Sequence, residues 1–153
     1  MKLTPAQFRE ALGISQETLR HWRKALPIFQ GRKGYGPAFS PTDLIAGAIV
    51  KLLRDEWGIS VAAFADGSVA LRDALNDQPW SRLPESALHL SLTEKSCEMK
   101  DANEEAVPAT PTLVVPLAPF VEQVTAALLR NEDTDQTPIY FPPVQVGLKA
   151  ARS

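Results

Sequence analysis

The sequence predicts an α+β protein, with a mainly helical N-terminal part followed by a small α/β C-terminal region. Two patterns carry this. Between residues 4 and 76, apolar residues recur at spacings of three and four, in runs punctuated by capping residues, glycine and proline. After residue 86 the spacing changes to two, in Leu88-Leu90-Leu92 and again in Val144-Val146-Leu148. The composition, 44% hydrophobic and 22% charged over 153 residues, is that of a globular chain and argues against wholesale disorder or a fibrous repeat.

The first helix opens at Thr4-Pro5-Ala6-Gln7. Thr4 can cap, Pro5 suits the first helical position, and Gln7 can close a capping box. It runs to about Leu12 and stops at Gly13. Ser15 caps a second helix, with Glu17 in its first turn, which runs to about Leu26 before Pro27. Phe8, Ala11 and Leu12 line one face of the first helix, and Leu19, Trp22 and Leu26 one face of the second. Two short helices packed across a tight turn make a helix-turn-helix. The second helix then keeps Gln16, Glu17, Arg20, His21, Arg23 and Lys24 on its free face.

In residues 28–39, Gly31, Gly34 and Gly36 surround Arg32 and Lys33 between Ile28-Phe29 and Ala38-Phe39. That arrangement predicts a hairpin with a basic tip. Ser40-Pro41-Thr42-Asp43 opens a third helix with Leu44, Ile45, Ala48, Ile49, Leu52 and Leu53 as its stripe, ending at Gly58. Trp57 is expected to pack. Ser60 opens a fourth helix over about 61–65, and 69–75 extends it if Gly67 permits.

Asn76 to Pro84 predicts a loop, and with it a division into a first domain at 1–76, a linker at 77–85 and a second region at 86–153. In that region Leu88–Leu92 predicts a half-buried strand. The acidic stretch 94–111, ending in Pro108 and Pro111, predicts a mobile loop. Leu113–Val115 predicts a second strand, and Pro119-Phe120 opens a helix to about Arg130, with Phe120, Val121, Val124, Ala127 and Leu128 on one side. A further alternating tail covers 139–148.

The net charge of −2 conceals an asymmetry. Residues 1–42 carry seven basic and two acidic side chains, a balance of +5, against nine basic and sixteen acidic in the remainder, a balance of −7. A basic part on an acidic chain points to a polyanionic partner. One cysteine, Cys97, excludes an internal disulfide and a multi-thiolate metal site, and fits a reducing compartment. An acid-rich surrounding would raise its pKa and disfavour a redox role. His21 and His89 are far apart, so no metal-ligand spacing exists, and no cofactor is expected. No stretch approaches the about 20 apolar residues of a membrane span. Glu10 interrupts the place where a secretion signal would have its apolar core. The expected location is the cytoplasm, with no membrane partner.

The ordered pieces resemble the winged helix-turn-helix of MerR-type transcriptional regulators. They are Leu12-Gly13-Ile14-Ser15-Gln16-Glu17-Thr18-Leu19-Arg20-His21-Trp22, then Gly34-Tyr35, then Phe39-Ser40-Pro41-Thr42-Asp43-Leu44, and last Leu52-Leu53-Arg54-Asp55-Glu56-Trp57-Gly58-Ile59-Ser60. The resemblance implies that the helix over 15–26 enters the major groove of DNA and that the wing over 28–39 holds the flanking backbone. By matching position, Gln16, Glu17 and Thr18 would reach base edges. Arg20 and His21, with the neighbouring Arg23 and Lys24, would meet phosphates, and Arg32, Lys33 and Tyr35 would lie in the wing. The chain departs from the family at Arg9, where a small residue is usual, at His21, where tyrosine is common, and at Gly36, where the wing usually has arginine. It also lacks the long dimerising helix of such regulators, because Pro79, Pro84, Pro108 and Pro111 break the region where sustained heptads would run.

No nucleophile elbow, phosphate-cradling loop or paired acid set appears, so no enzymatic activity is expected. The expected function is that of a sequence-specific DNA-binding transcriptional regulator, dimeric through residues 86–153. The alternative is an excisionase-like, packaging or architectural DNA-binding protein whose C-terminal region recruits a partner protein. Binding a small effector is a third role open to that region.

Overall fold

The computed structural model describes residues 2–31, 34, 36–105 and 107–136. The alternating tail over 139–148 lies outside them. The fold is α+β. The order is α1 (Pro5–Leu12), α2 (Gln16–Ala25), α3 (Pro41–Trp57), α4 (Ala65–Asn76), β1 (Ser86–Ser91), β2 (Ser96–Asp101), β3 (Leu113–Pro116) and α5 (Ala118–Gln136).

Local chemistry sets the helix ends. At α1, Gln7 N–H donates to Thr4 Oγ1 (3.2 Å) and Thr4 N–H donates to Gln7 Oε1 (2.9 Å), a closed capping box. Gly13 ends the helix at φ 69°, in the left-handed region that glycine enters freely. Ser15 Oγ accepts from Thr18 N–H (3.0 Å) and opens α2. Ser40 and Asp43 form a second box at α3 (2.8 and 3.1 Å), and Gly58 closes that helix at φ 67°.

Helix α3 is the centre of the molecule, with every residue from Asp43 to Val50 buried. Helices α1, α4 and α5 all pack against it. The contact with α1 depends on Gly47. A Cβ there would stand 2.8 Å from Leu12 Cδ1 and 2.9 Å from Phe8 Cζ. Phe8 in turn stacks on Phe39 (centroids 4.2 Å apart) and meets Phe29 edge-on at 5.6 Å, while Trp22 of α2 lies 6.5 Å from Phe29. This aromatic group joins α1, α2, the turn after α2 and the segment leading into α3. The core continues through Leu71 and Leu75 of α4 to Leu83, Leu88, Leu90, Val115, Val121 and Val124.

Five elements differ from the sequence-based expectation. The expected hairpin flanks do not pair with each other. Pro27–Phe29 form a 3-10 turn with Ile28 and Phe29 buried, and Phe39 bridges to Leu3 instead (Leu3 N–H to Phe39 O, 2.7 Å). Proline at 27 favours the turn, and burying two large side chains outweighs the ladder. Second, Ala62–Phe64 form a 3-10 turn where the fourth helix is expected to begin, and α4 starts at Ala65; it runs through Gly67, a continuity the sequence leaves open, with Gly67 against the Phe64 ring where a Cβ would stand 2.9 Å away. Third, the expected loop at 76–84 contains a 3-10 helix over Trp80–Glu85 that buries Leu83. Fourth, the expected mobile loop at 94–111 contains β2. Cys97 and Met99 alternate with polar neighbours, and their partners Leu90 and Leu88 on β1 draw them toward the core. Finally, Trp57 does not pack: it is 60% exposed.

The sheet order is β2-β1-β3, antiparallel throughout. Its core face carries Leu88 and Leu90, flanked by Met99 and Cys97 on one side and Val115 and Leu113 on the other. Helix α4 lies against β2, and Lys95, in the turn before β2 at φ 55°, pairs with Asp66 of α4 at 2.9 Å.

Two outcomes follow. Gly47→Ala forces Phe8 and Leu12 aside and should lower stability by about 1–3 kcal/mol in urea titration. Cys97 should react with iodoacetamide far more slowly in the folded protein than in denaturant. Burial, with the charge of Glu98 second, pushes its thiol up to about 12. The native rate should keep climbing with pH well above the ordinary thiol range, because only the thiolate reacts.

Candidate nucleic-acid interface

Helix α2 has a buried side and a free side. Leu19 and Trp22 are buried, and Leu26 follows them beyond its end. Trp22 has no exposed surface, and Arg54 of α3 sits over its ring at 5.7 Å. Truncation of so buried an indole costs about 3–5 kcal/mol, so Trp22 is an anchor rather than a stacking platform. With these positions fixed, the residues between them turn outward.

Gln16, Glu17, Arg20, His21 and Lys24 are exposed, and Arg23 is half-buried. They do not form one uniform set. Gln16, Arg20 and Arg23 follow at spacings of four and three along one edge of α2, facing α1. Glu17 is turned toward Arg20 and forms an exposed ion pair with it. Such a pair is worth little and screens easily, so Arg20 remains available to another anion. Lys24 and His21 lie on the outer side, where the Lys24 carbonyl accepts from Gln30 Nε2 at 2.9 Å. Thr18 is set apart: its hydroxyl shares a 2.9 Å hydrogen bond with Ser15 at the cap. Arg32, Lys33 and Tyr35 lie outside the described residues.

Between α1 and that edge of α2 lies a groove of about 410 Å³. Its walls are Thr4–Ala6 and Arg9 from α1, and Gln16, Arg20 and Arg23 from α2, with Leu19 and Gly34 completing the lining. Among the described residues, three arginines and no carboxylate line it. Arg9 belongs to this group although the helix-turn-helix pattern does not point to it; its place in the basic stretch 1–42 was the available signal. Two smaller cavities, of about 270 and 280 Å³, are lined by both signs of charge: Lys51 with Asp55 and Glu56, and Glu10 with Arg130. Lys51 and Arg54 are already paired to Asp55 (3.6 and 2.7 Å), and the bond from Arg54 holds the Asp55 carboxyl below its usual range.

Arg23 is the most constrained of the three arginines. Its Cζ sits 5.6 Å above the Phe39 ring, and its Nε and Nη2 are buried without a hydrogen-bond acceptor among the described residues. The ring face offsets part of the guanidinium's missing hydration, but two donors are left unused.

Among the described residues, no three His, Cys, Asp or Glu side chains gather as a metal site, and no helix is long and apolar enough to cross a membrane. Comparison with family models, with curated proteins and with solved structures yields no match to this chain.

Arg23→Gln should test the packing role. Without a guanidinium over the Phe39 ring, the thermal midpoint should fall by a few degrees, on the scale of about 1 kcal/mol for one such interaction. Arg20→Gln, at an exposed position, should leave the midpoint unchanged.

Proposed function

We propose that this chain is a sequence-specific DNA-binding regulator of MerR-like type, dimeric through residues 86–153 and acting in the cytoplasm. The observation that carries the proposal is the edge of α2 that borders the groove beside α1, where Gln16, Arg20 and Arg23 stand together on a helix anchored by Leu19 and Trp22. A capped helix with a free basic face is the element that enters a major groove. Arginines supply phosphate contacts, and the Gln16 amide matches the paired acceptor and donor of adenine. The +5 balance of residues 1–42 supports the same partner. In this reading Glu17, His21 and Lys24 lie at the margin of the interface, and Arg32, Lys33 and Tyr35 extend it along the backbone.

No enzymatic step is part of the proposal, and no cofactor or metal is needed for it. The second region supplies the symmetry. A single module of this size offers little base contact, and pairing two copies doubles it.

Selection from a pool of random duplexes at two salt concentrations tests the reading. The expected result is an enriched inverted repeat, bound more weakly as salt rises. Binding with no enriched sequence would instead favour an architectural or packaging role with a recruited partner protein. Exchanging Arg20 and Arg23 for alanine should weaken binding to every duplex. It should also flatten the plot of log affinity against log salt by about 0.9 for each phosphate that is no longer neutralised. Unchanged affinity and slope would rule out the docking of α2. Light scattering of the free protein should give twice the 16.7 kDa chain mass.

A further inference from the structure

We infer that the groove between α1 and α2 is a binding site for one phosphate group, with Arg9 as a ligand alongside Arg20 and Arg23. On the reading that the protein binds DNA, that group is a backbone phosphate beside the major groove. Arg9 thus adds α1 to the interface formed by α2 and the wing residues.

The chemistry of the lining selects the ligand. Three guanidinium groups border about 410 Å³, with no carboxylate among the described lining residues. Arginine's planar fork matches the oxygens of a phosphate in pairs. The start of α1 adds its dipole, but few free donors. Pro5 has no N–H, and the Thr4 and Gln7 amides are used within the capping box. The arginines therefore carry the recognition. Arg23 brings a second indication, since its Nε and Nη2 are buried without an acceptor among the described residues. The described walls offer no aromatic face on which a base could stack.

Arg9→Gln keeps the polarity of the side chain and removes the charge. In duplex binding measured across salt, the variant should bind several-fold more weakly at every sequence and flatten the salt slope, by at most about 0.9 because a single phosphate is involved, with enriched sequence and thermal midpoint unchanged. Arg9→Lys should restore most of the slope. A variant slope equal to that of the wild type, while Arg20→Gln still reduces it, would overturn the role of Arg9 and leave DNA binding standing. A second arm needs no DNA. The wild-type melting temperature is compared in inorganic phosphate and in chloride at equal ionic strength. Stabilisation by phosphate that disappears in Arg9→Gln supports the groove. If the wild type binds no duplex yet shows that stabilisation, the phosphate site holds and DNA is overturned as its source. If it shows neither, the inference fails entirely.

Discussion

Burial of α3 constrains where every neighbouring element can sit, because its middle is covered around its whole circumference. A helix enclosed on all sides from Asp43 to Val50 has no free face, so each neighbour must find its own stripe on it. Gly47 gives α1 close approach through Phe8 and Leu12. Further along, Ala48 and Leu52 border the cleft facing Phe120 of α5. Interiors are packed at nearly crystalline density, so these approaches admit little adjustment. Helix α2 is set at one remove, through Trp22 against Phe29 and under Arg54. Its buried side is thus decided by aromatic packing and its free side by what remains.

That order of causes explains how like charges come to share a groove. Arg9, Arg20 and Arg23 repel each other, and nothing in their own chemistry draws them together. The packing of Phe8, Leu12, Leu19 and Trp22 holds the two helices in place, and the arginines follow from their positions along them. The electrostatic cost is reduced by the Glu17 partner of Arg20 and by the Phe39 ring under Arg23. A site assembled in this way is favourable for an anion because the repulsion has already been overcome by the core.

What could be read from the sequence was local. Thr4 with Gln7, Ser15, Ser40 with Asp43, and the glycines at 13 and 58 mark helix ends through interactions within a few residues, and all of those ends stand where the residues place them. The departures involve distant partners. β2 has mostly polar residues, and only the register against Leu88 and Leu90 reveals Cys97 and Met99 as its inner side. Phe39 stands outside the expected hairpin because Leu3, far away in the chain, offers it an edge. Trp57 is the last residue of α3, and among the described residues no element closes over it. The groove belongs with these cases. Arg9 is eleven residues from Arg20, and only the packing of two helices brings both to one cavity.

Helix α4 links the two ends of the fold. One part of it touches the Pro27–Phe29 turn that ends α2, and another lies against β2, where Asp66 holds Lys95. The sheet and α2 are therefore referred to the same helix rather than joined by a loose tether. In the proposed dimer this has a geometric consequence. Two copies paired through residues 86–153 would present two α2 helices at a separation fixed by α4 and the core, and a dimer reads two half-sites about one helical turn of DNA, or a multiple of it, apart. A flexible connection would tolerate many half-site spacings. A connection through packed Leu71, Leu75 and Leu83 tolerates few, so the core that stabilises the fold would also determine which operator spacing the protein accepts.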